Sequence, residues 1–340
     1  MMTPIQSLPE NVIRVIEGAP FTEYATVSAA AVPINTPTYV FPSDDLGVLA
    51  LATGLAYPAK AERARRNPRV GLLLEGGANE PVVSIRGRAA VRDADLANNA
   101  RRYISETGFE GISYGLSWRE ARKAVWYWTR VIVEVTPQLI MWWDNPAAMD
   151  EAPNVWIAPD GFVFPQSDPA PVGKPSAAPS WPQRPWQEIA QDGLGRGVLP
   201  HLTLCDDDGY PLPIRLRSCE LVGDRFKLRL PRWTPWSLQG KAHLSYIGLE
   251  CFVGDLDVEG DNVWFKVERA LPQLPSMMDP KLVLSPTEDL RQTFMTRLTE
   301  EVARRSQSIP TLPEEVPTPT RLARHRFAKF GSGAKAEGSN

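Results

Sequence analysis

Short apolar or alternating runs, separated by turn residues, fill the first third of the chain, and this is the pattern of β-strands. Tyr24–Ala31 and Ile34–Phe41 are rich in β-branched and aromatic residues and flank a turn at Pro33, which predicts a hairpin. Further strands are predicted at Gly47–Thr53, Arg69–Leu74 and Val82–Val91. About five strands in so short a segment predict a small barrel.

Three helices interrupt or follow these strands. Pro58–Arg66 is predicted as a helix because Pro58 suits a first helical turn and Asn67-Pro68 supplies a stop. Two more helices are predicted across Asp95–Glu106 and Ser117–Trp126, before strands at Thr129–Thr136 and Leu139–Trp143. Residues 1–143 are therefore predicted to form the first domain.

Prolines cluster in residues 144–197, a composition that favours a linker wrapping the surface. We expect three tryptophans to anchor it, namely Trp156, Trp181 and Trp186. A short strand pair is also predicted at Asn154–Phe164, turned by Asp160-Gly161.

The strand pattern returns in residues 198–275, the predicted second domain. Strands are predicted at His201–Cys205, Leu212–Val222, Arg225–Leu230, Lys241–Ile247, Glu250–Val258 and Asn262–Arg269. When the two halves are aligned, Ala25–Ser28 falls on Leu202–Cys205, and Pro33 falls near Pro211. The shared order of elements predicts a diverged internal duplication.

The last predicted units are a helix region at 276–307 and a disordered tail at 308–340. Ser285-Pro286-Thr287-Glu288 has the form of a capping box, and apolar side chains follow at a spacing of four, namely Leu290, Phe294, Leu298 and Val302. The tail is rich in proline and then basic, which indicates disorder. The fold class is thus mainly β with accessory helices.

Charge and composition narrow the function. The 340 residues carry 37 basic and 40 acidic side chains, a net charge of −3, which disfavours a nucleic-acid or polybasic membrane surface and favours a small-molecule partner. The uncharged run from Tyr24 to Ser43 is broken by prolines and is not expected to span a membrane. The start has no secretory pattern, and three cysteines without a metal-ligand spacing fit a cytoplasmic protein with no metal site.

The usual catalytic motifs are lacking, and the chain has three histidines: His201, His243 and His325. Chemistry supplied by a cofactor is therefore expected. The order of Gly47–Thr53, then Lys60 near the start of a helix, then Asn67-Pro68-Arg69-Val70, then Gly87-Arg88-Ala89, resembles the pyridoxamine 5′-phosphate oxidase-like family of FMN-binding split barrels. The resemblance covers about residues 20–140, and it implies two tandem split barrels.

The resemblance implies a set of FMN-binding residues. Lys60 and Thr53 would hold the flavin phosphate, and Lys60 lies where a helix N-terminus already favours an anion. Thr36, Pro37 and Thr38 would lie along the isoalloxazine ring, and Val82 and Ser84 on the next face of the site. This chain lacks the family oxidase's arginines on the second strand and before the lysine, which puts pyridoxamine phosphate oxidation in doubt.

The implied function is an FMN-dependent oxidoreductase that exchanges hydride at flavin N5 with a small, apolar or aromatic substrate, with NADH or NADPH as a candidate donor. Trp233 and Trp236 are predicted to wall the substrate pocket or to pack in the core. Alternatives are a deazaflavin-dependent reductase, a non-catalytic flavin- or haem-binding protein with His201 or His243 as ligand, and an interaction module without cofactor. The family pairs two barrels, so the repeats are expected to pair within one chain or in a homodimer.

Overall fold

The computed structural model describes residues 3–19, 22–109, 115–176, 184–273, 282 and 284–324. The strands of the first half are β1 (Thr22–Val27), β2 (Pro33–Thr38), β3 (Val40–Pro42), β4 (Leu49–Gly54), β5 (Arg69–Glu75), β6 (Val82–Arg92), β7 (Arg130–Trp143) and β8 (Asn154–Ile157). Those of the second half are β9 (His201–Cys205), β10 (Pro211–Arg215), β11 (Ser218–Val222), β12 (Arg225–Arg229), β13 (Gly240–Tyr246), β14 (Glu250–Glu259) and β15 (Asn262–Ala270). The helices are α1 (Glu10–Gly18), α2 (Ala59–Arg66), α3 (Leu96–Thr107), α4 (Trp118–Ala121), α5 (Val125–Trp128), α6 (Trp186–Gly195) and α7 (Glu288–Arg304).

The two halves have the same strand order. The first sheet runs β2-β1-β5-β6-β7-β4-β3, with β8 paired to β7, and the second runs β10-β9-β13-β14-β15-β12-β11. Position by position, β1 corresponds to β9, β4 to β12 and β7 to β15. All of these pairings are antiparallel, and both sheets curl into half-barrels. The predicted duplication and the fold of two tandem split barrels are therefore confirmed.

Each sheet encloses its own apolar core, because inward side chains alternate with outward ones along the strands. Tyr24, Leu51 and Val133 are buried in the first core, where α1 also packs. The second core is built around aromatic rings, with Phe226 lying 5.5 Å from Phe252 between ring centroids. Helix α1 was not predicted from the sequence, because its apolar positions fall within a short segment that begins at a proline.

The two repeats pair within one chain, through the outer faces of β1, β2 and β5 and of β9, β10 and β13. Backbones approach so closely that a Cβ at Gly71 would lie 1.8 Å from the carbonyl oxygen of Pro211. The backbone N–H of Asn35 donates a hydrogen bond of 3.3 Å to Nδ1 of His243. A glycine is needed at position 71 for this contact, since any side chain would separate the sheets.

Several element boundaries differ from the sequence prediction, and the predicted strand Ile34–Phe41 is divided between β2 and β3. The predicted strand Leu212–Val222 is two strands, β10 and β11, and the predicted helix Ser117–Trp126 is divided into α4 and α5. The two segments predicted at 129–136 and 139–143 form one strand, β7. A register shift opposite Arg86 and Gly87 gives β7 an extra residue near Pro137, so the strand continues past a proline that cannot donate a ladder hydrogen bond.

The proline-rich segment is partly folded. The predicted strand pair at Asn154–Phe164 is wrong, because Asn154–Ile157 pairs with β7 and no strand follows it in the described residues up to 176. Trp156 is buried in the first core. Trp186 begins α6 and lies 6.3 Å from Phe226 between ring centroids, whereas Trp181 lies outside the described residues. The segment thus supplies an edge strand and a helix as well as a connection.

The C-terminal region packs on the first repeat. Helix α7 buries the predicted apolar positions, but it begins two residues later than the capping box suggests, with Thr287 as N-cap. Beyond it, Leu312 is buried, Trp118 Nε1 donates to the carbonyl oxygen of Pro313 at 3.1 Å, and Thr320 N donates to Ser105 O at 2.9 Å. Residues of the predicted tail up to 324 thus contact the first repeat, and residues 325–340 lie outside the described ranges. None of the described helices combines the length and the hydrophobicity needed to cross a lipid bilayer.

Candidate functional site

A pocket opens where the end of β2, the strands β3 and β4, the first turn of α2 and the start of β7 meet. Its volume is about 200 Å³. Its described lining consists of Pro37, Thr38, Tyr39, Phe41, Ala52, Lys60, Tyr103 and Arg130. We call it the Lys60 pocket. Two of these residues are cations and three are aromatic, and none of them is a carboxylic acid.

Lys60 enters the pocket from the beginning of α2. Pro58 precedes the helix, which starts at Ala59, so the side chain of Lys60 projects from the first turn. Its Nζ donates a hydrogen bond of 2.9 Å to the carbonyl oxygen of Pro37 on β2. Burial, together with the nearby charges of Arg63 and Arg130, lowers the pKa of Lys60 to about 7. The ammonium group therefore lacks a compensating negative charge.

Arg130, the first residue of β7, forms the second cationic wall. Its guanidinium carbon lies 4.3 Å from the ring centroid of Tyr103 and 4.2 Å from that of Tyr127. One terminal nitrogen donates to the hydroxyl of Tyr103 at 3.2 Å. Its Nε is buried and has no hydrogen-bond partner among the described residues. The two tyrosine rings thus hold a guanidinium whose charge is not neutralised by a described carboxylate.

This electrostatic arrangement suits an anion. Two cations that share a pocket repel one another, and a carboxylate would ordinarily relieve that repulsion. Arg63 adds further positive charge behind the pocket, where its Nε donates to Thr26 Oγ1 at 2.7 Å. A phosphate would offer oxygen acceptors to both Lys60 and Arg130 and would favour the charged form of the lysine.

A second layer of charged residues fixes α2 from behind. Arg304 at the end of α7 and Arg305 directly after it both bind Glu62 on α2, and Arg305 also pairs with Asp93 at 2.9 Å. Arg65 of α2 reaches the same Asp93 at 2.7 Å. Because this cluster is almost wholly buried, it holds the helix in one position relative to the first sheet.

The structure brings together three of the residues implied by the family resemblance. Pro37, Thr38 and Lys60 line the Lys60 pocket. Thr36 and Thr53 are not among its described lining residues; the hydroxyl of Thr36 donates to Tyr24 O and that of Thr53 to Tyr57 O, each at 3.3 Å. Both hydroxyls satisfy nearby backbone instead.

Val82 and Ser84 lie on β6, outside the Lys60 pocket. Val82 is buried in the second core together with Leu73 and Met141, so this face of the first sheet packs on the second repeat. Ser84 is also buried, and its hydroxyl has no hydrogen-bond partner among the described residues. The face that the resemblance assigns to the flavin site is thus a contact between the repeats.

Trp233 and Trp236 lie in the second repeat, away from the Lys60 pocket. Trp236 is buried, and its indole N–H donates to the carbonyl oxygen of Leu212 at 2.8 Å. Trp233 is half-buried and packs edge-on against Trp143, at 5.3 Å between ring centroids. As the sequence indicates, no helix replaces α2 between β12 and β13 in this repeat. Core packing explains the position of Trp236.

The two described histidines lie between the repeats. His201 Nδ1 is 3.1 Å from Glu23 and its Nε2 is 3.0 Å from Glu75. Burial opposes the charged imidazolium, but the two carboxylates outweigh it and raise the pKa of His201 to about 10. Since both of its nitrogens face carboxylates, neither is free for a haem iron. His243 is fully buried, and burial lowers its pKa to about 3.

Sequence reasoning missed Arg130, Tyr103 and Tyr127. Arg130 begins a strand whose other residues fit a buried β pattern, and Tyr103 lies on an amphipathic helix, so neither position stands out. Their meeting depends on the packing of α3 against β7 and α5. Within the described residues, no group of three or more His, Cys, Asp or Glu side chains could hold a metal ion.

Solved structures with a related architecture are known. General stress protein 26 from Bacillus anthracis str. Sterne is 19% identical, over 44% of this chain and 97% of that one, with a TM-score of 0.31. A pyridoxamine 5′-phosphate oxidase-related, FMN-binding protein from Nostoc punctiforme PCC 73102 is 14% identical, over 39% and 76%, with a TM-score of 0.28. An F420 reductase is 21% identical, over 39% and 98%, with a TM-score of 0.31.

No protein-family model matches the chain, and no curated protein matches it. The strand order of the two sheets defines the class: a tandem split-barrel protein. Within that class, the similarity to the solved structures named above concerns the fold.

Proposed function

We propose that this protein binds a phosphate-bearing flavin through the Lys60 pocket and acts as a flavin-dependent oxidoreductase. The observation that supports this proposal is that two cations, Lys60 and Arg130, share a pocket whose described lining contains no carboxylate. Such a pocket carries an electrostatic cost that a bound dianion removes.

The residues fit the phosphate end of the cofactor. Lys60 Nζ makes one described hydrogen bond and has capacity for more, and Arg130 offers a buried Nε that has no partner among the described residues. The volume of about 200 Å³ is below the roughly 300–1,000 Å³ typical of a complete small-molecule site. The pocket therefore matches the phosphate group, and the rest of the cofactor would lie outside it.

The aromatic lining gives the site a second property. Tyr39, Phe41 and Tyr103 surround the cations with apolar surface, which lowers the local dielectric and strengthens a charge pair with the ligand. When bound, a flavin or deazaflavin supplies the hydride chemistry. The protein would contribute binding, orientation and exclusion of water, and the substrate we propose is small and apolar or aromatic.

A visible absorption spectrum tests the proposal directly. The purified protein, or protein reconstituted with FMN and then desalted, should show flavin absorption bands. Anaerobic addition of NADH or NADPH should bleach those bands if the bound flavin accepts hydride. If the spectrum shows deazaflavin bands instead, the cofactor is a deazaflavin, and the assignment of the Lys60 pocket to its phosphate is kept. A colourless protein that retains neither cofactor would refute the function.

A further inference from the structure

The second repeat contains a pocket at the position that corresponds to the Lys60 pocket. The Lys60 pocket is bounded in part by β3, β4, α2 and the start of β7. The corresponding elements in the shared strand order are β11, β12, the segment 230–239 and the start of β15, and residues from all four line the second pocket. Asn262 begins β15 as Arg130 begins β7. The duplication therefore produced two pockets, whose side chains have diverged.

The second pocket is the larger of the two, with a volume of about 630 Å³. In the first repeat, α2 and α3 contribute Lys60 and Tyr103 to the lining of the pocket. In the second repeat, the segment 230–239 replaces α2, and the turn at Glu259-Gly260-Asp261 replaces the long connection that contains α3. Its volume lies within the range typical of small-molecule sites.

The lining of the second pocket carries both signs of charge. Lys227 and Arg229 of β12 lie opposite Glu220 and Ser218 of β11 in the strand register, so all four side chains share one face of the sheet. Arg232 supplies a third cation from the segment 230–239.

None of these three cations forms a salt bridge with a described residue, whereas Arg225 on the same strand pairs with Glu259 at 2.6 Å. Asp261 adds a second carboxylate to the lining. These three cations give the pocket a positive side, and the two carboxylates give it acceptors for hydrogen bonds.

No aromatic side chain is among the described lining residues of the second pocket, in contrast to the Lys60 pocket. A flavin ring would therefore lack stacking partners there. Cations suit phosphate oxygens, and carboxylates suit hydroxyl or ammonium donors. We propose that the second repeat binds a small phosphorylated compound that carries an amino or hydroxyl group, with Arg229 and Arg232 on the phosphate and Glu220 and Asp261 on the donor group.

Titration calorimetry on the full chain, with phosphoethanolamine as the probe, tests this site. The double variant Arg229→Gln/Arg232→Gln should bind the probe at least about tenfold more weakly than the unmodified protein, because two charge-assisted contacts are lost. Arg225→Gln is the matched control, since Arg225 lies on the same strand but outside the lining. The affinity of this variant for phosphoethanolamine should equal that of the unmodified protein. Glu220→Gln should reduce the preference for phosphoethanolamine over methyl phosphate, which has no donor group.

Lys60→Ala separates the two pockets. The proposal requires that this variant bind phosphoethanolamine as the unmodified protein does, even if its affinity for FMN falls. If the double variant binds the probe normally, or if Lys60→Ala alone abolishes binding, the second-pocket proposal is overturned. A failure to bind FMN with normal binding of phosphoethanolamine contradicts the proposed function of the Lys60 pocket. A failure to bind phosphoethanolamine with normal binding of FMN contradicts the second-pocket proposal.

Discussion

Arg297 of α7 donates a hydrogen bond from Nε to the carbonyl oxygen of Ala56 at 2.7 Å. Ala56 lies in the turn between β4 and α2. Lys60 projects from the first turn of α2, directly after it. The guanidinium carbon of Arg297 also lies 4.9 Å from the ring centroid of Tyr57, and that ring packs edge-on against Phe294 at 5.6 Å. The C-terminal helix thus fixes the backbone that aims Lys60 into its pocket.

This contact predicts a positioning role for Arg297. Replacing Arg297 with Met should weaken FMN binding more than riboflavin binding. The turn at Ala56, which leads into α2 and Lys60, loses its support, whereas the contacts of the flavin ring remain. Fluorescence titration of both ligands gives the ratio of affinities. Arg291→Gln on the exposed side of α7 is the control and should leave the ratio unchanged. An equal loss for both ligands would indicate a structural role alone.

Lys60→Ala should weaken FMN binding by about one to two decades, since a charge-assisted hydrogen bond to phosphate contributes roughly 1.5–3 kcal/mol. Riboflavin has no phosphate, and its affinity should hardly change. Isothermal titration of the two ligands against the same protein preparation measures both effects. The assignment of Lys60 to the phosphate fails if FMN affinity is unaffected, or if both ligands lose affinity equally.

The affinity for FMN should depend on pH through Lys60. The lowered pKa of Lys60, about 7 without ligand, means that the lysine is largely neutral above pH 7. Binding of the phosphate dianion favours the ammonium form, so a proton is taken up on binding in this range. FMN affinity should therefore fall as pH rises from about 7 toward 9, by up to about tenfold per unit. Riboflavin and the Lys60→Ala variant should lack this dependence.

Most strands could be predicted from the sequence, because they are apolar or β-branched runs bounded by turn residues such as Pro, Gly, Asn or Asp. The Lys60 pocket could be predicted only in part. Lys60 follows a helix-start signal that is local in the chain, and the family resemblance marks it. Arg130 and Tyr103 meet Lys60 only after the strands have assembled, and no local pattern encodes that meeting. Arg297 is separated from its partner Ala56 by most of the chain, so only the folded structure reveals the contact.

The two tryptophans of the second repeat should respond differently to truncation. Trp236→Ala should lower stability by about 3–5 kcal/mol, because it empties a buried site and leaves the carbonyl oxygen of Leu212 without its donor. Trp233 is half-buried against Trp143, so its loss should cost less. Thermal unfolding of both variants measures the difference. A normal melting temperature for Trp236→Ala, together with altered flavin fluorescence, would instead support a pocket wall.

The unequal pockets predict at most one flavin per chain, with the phosphate contacts in the first repeat. In the Lys60 pocket two cations face aromatic side chains, whereas the corresponding residues of the second repeat mix cations with Glu220 and Asp261. The described lining of the second pocket offers no ring for the isoalloxazine to stack on. Flavin released by denaturation, quantified against protein concentration, gives the stoichiometry. Arg229→Gln should leave the ratio unchanged and Lys60→Ala should lower it at limiting FMN, while a ratio of two would refute the divergence of the second site.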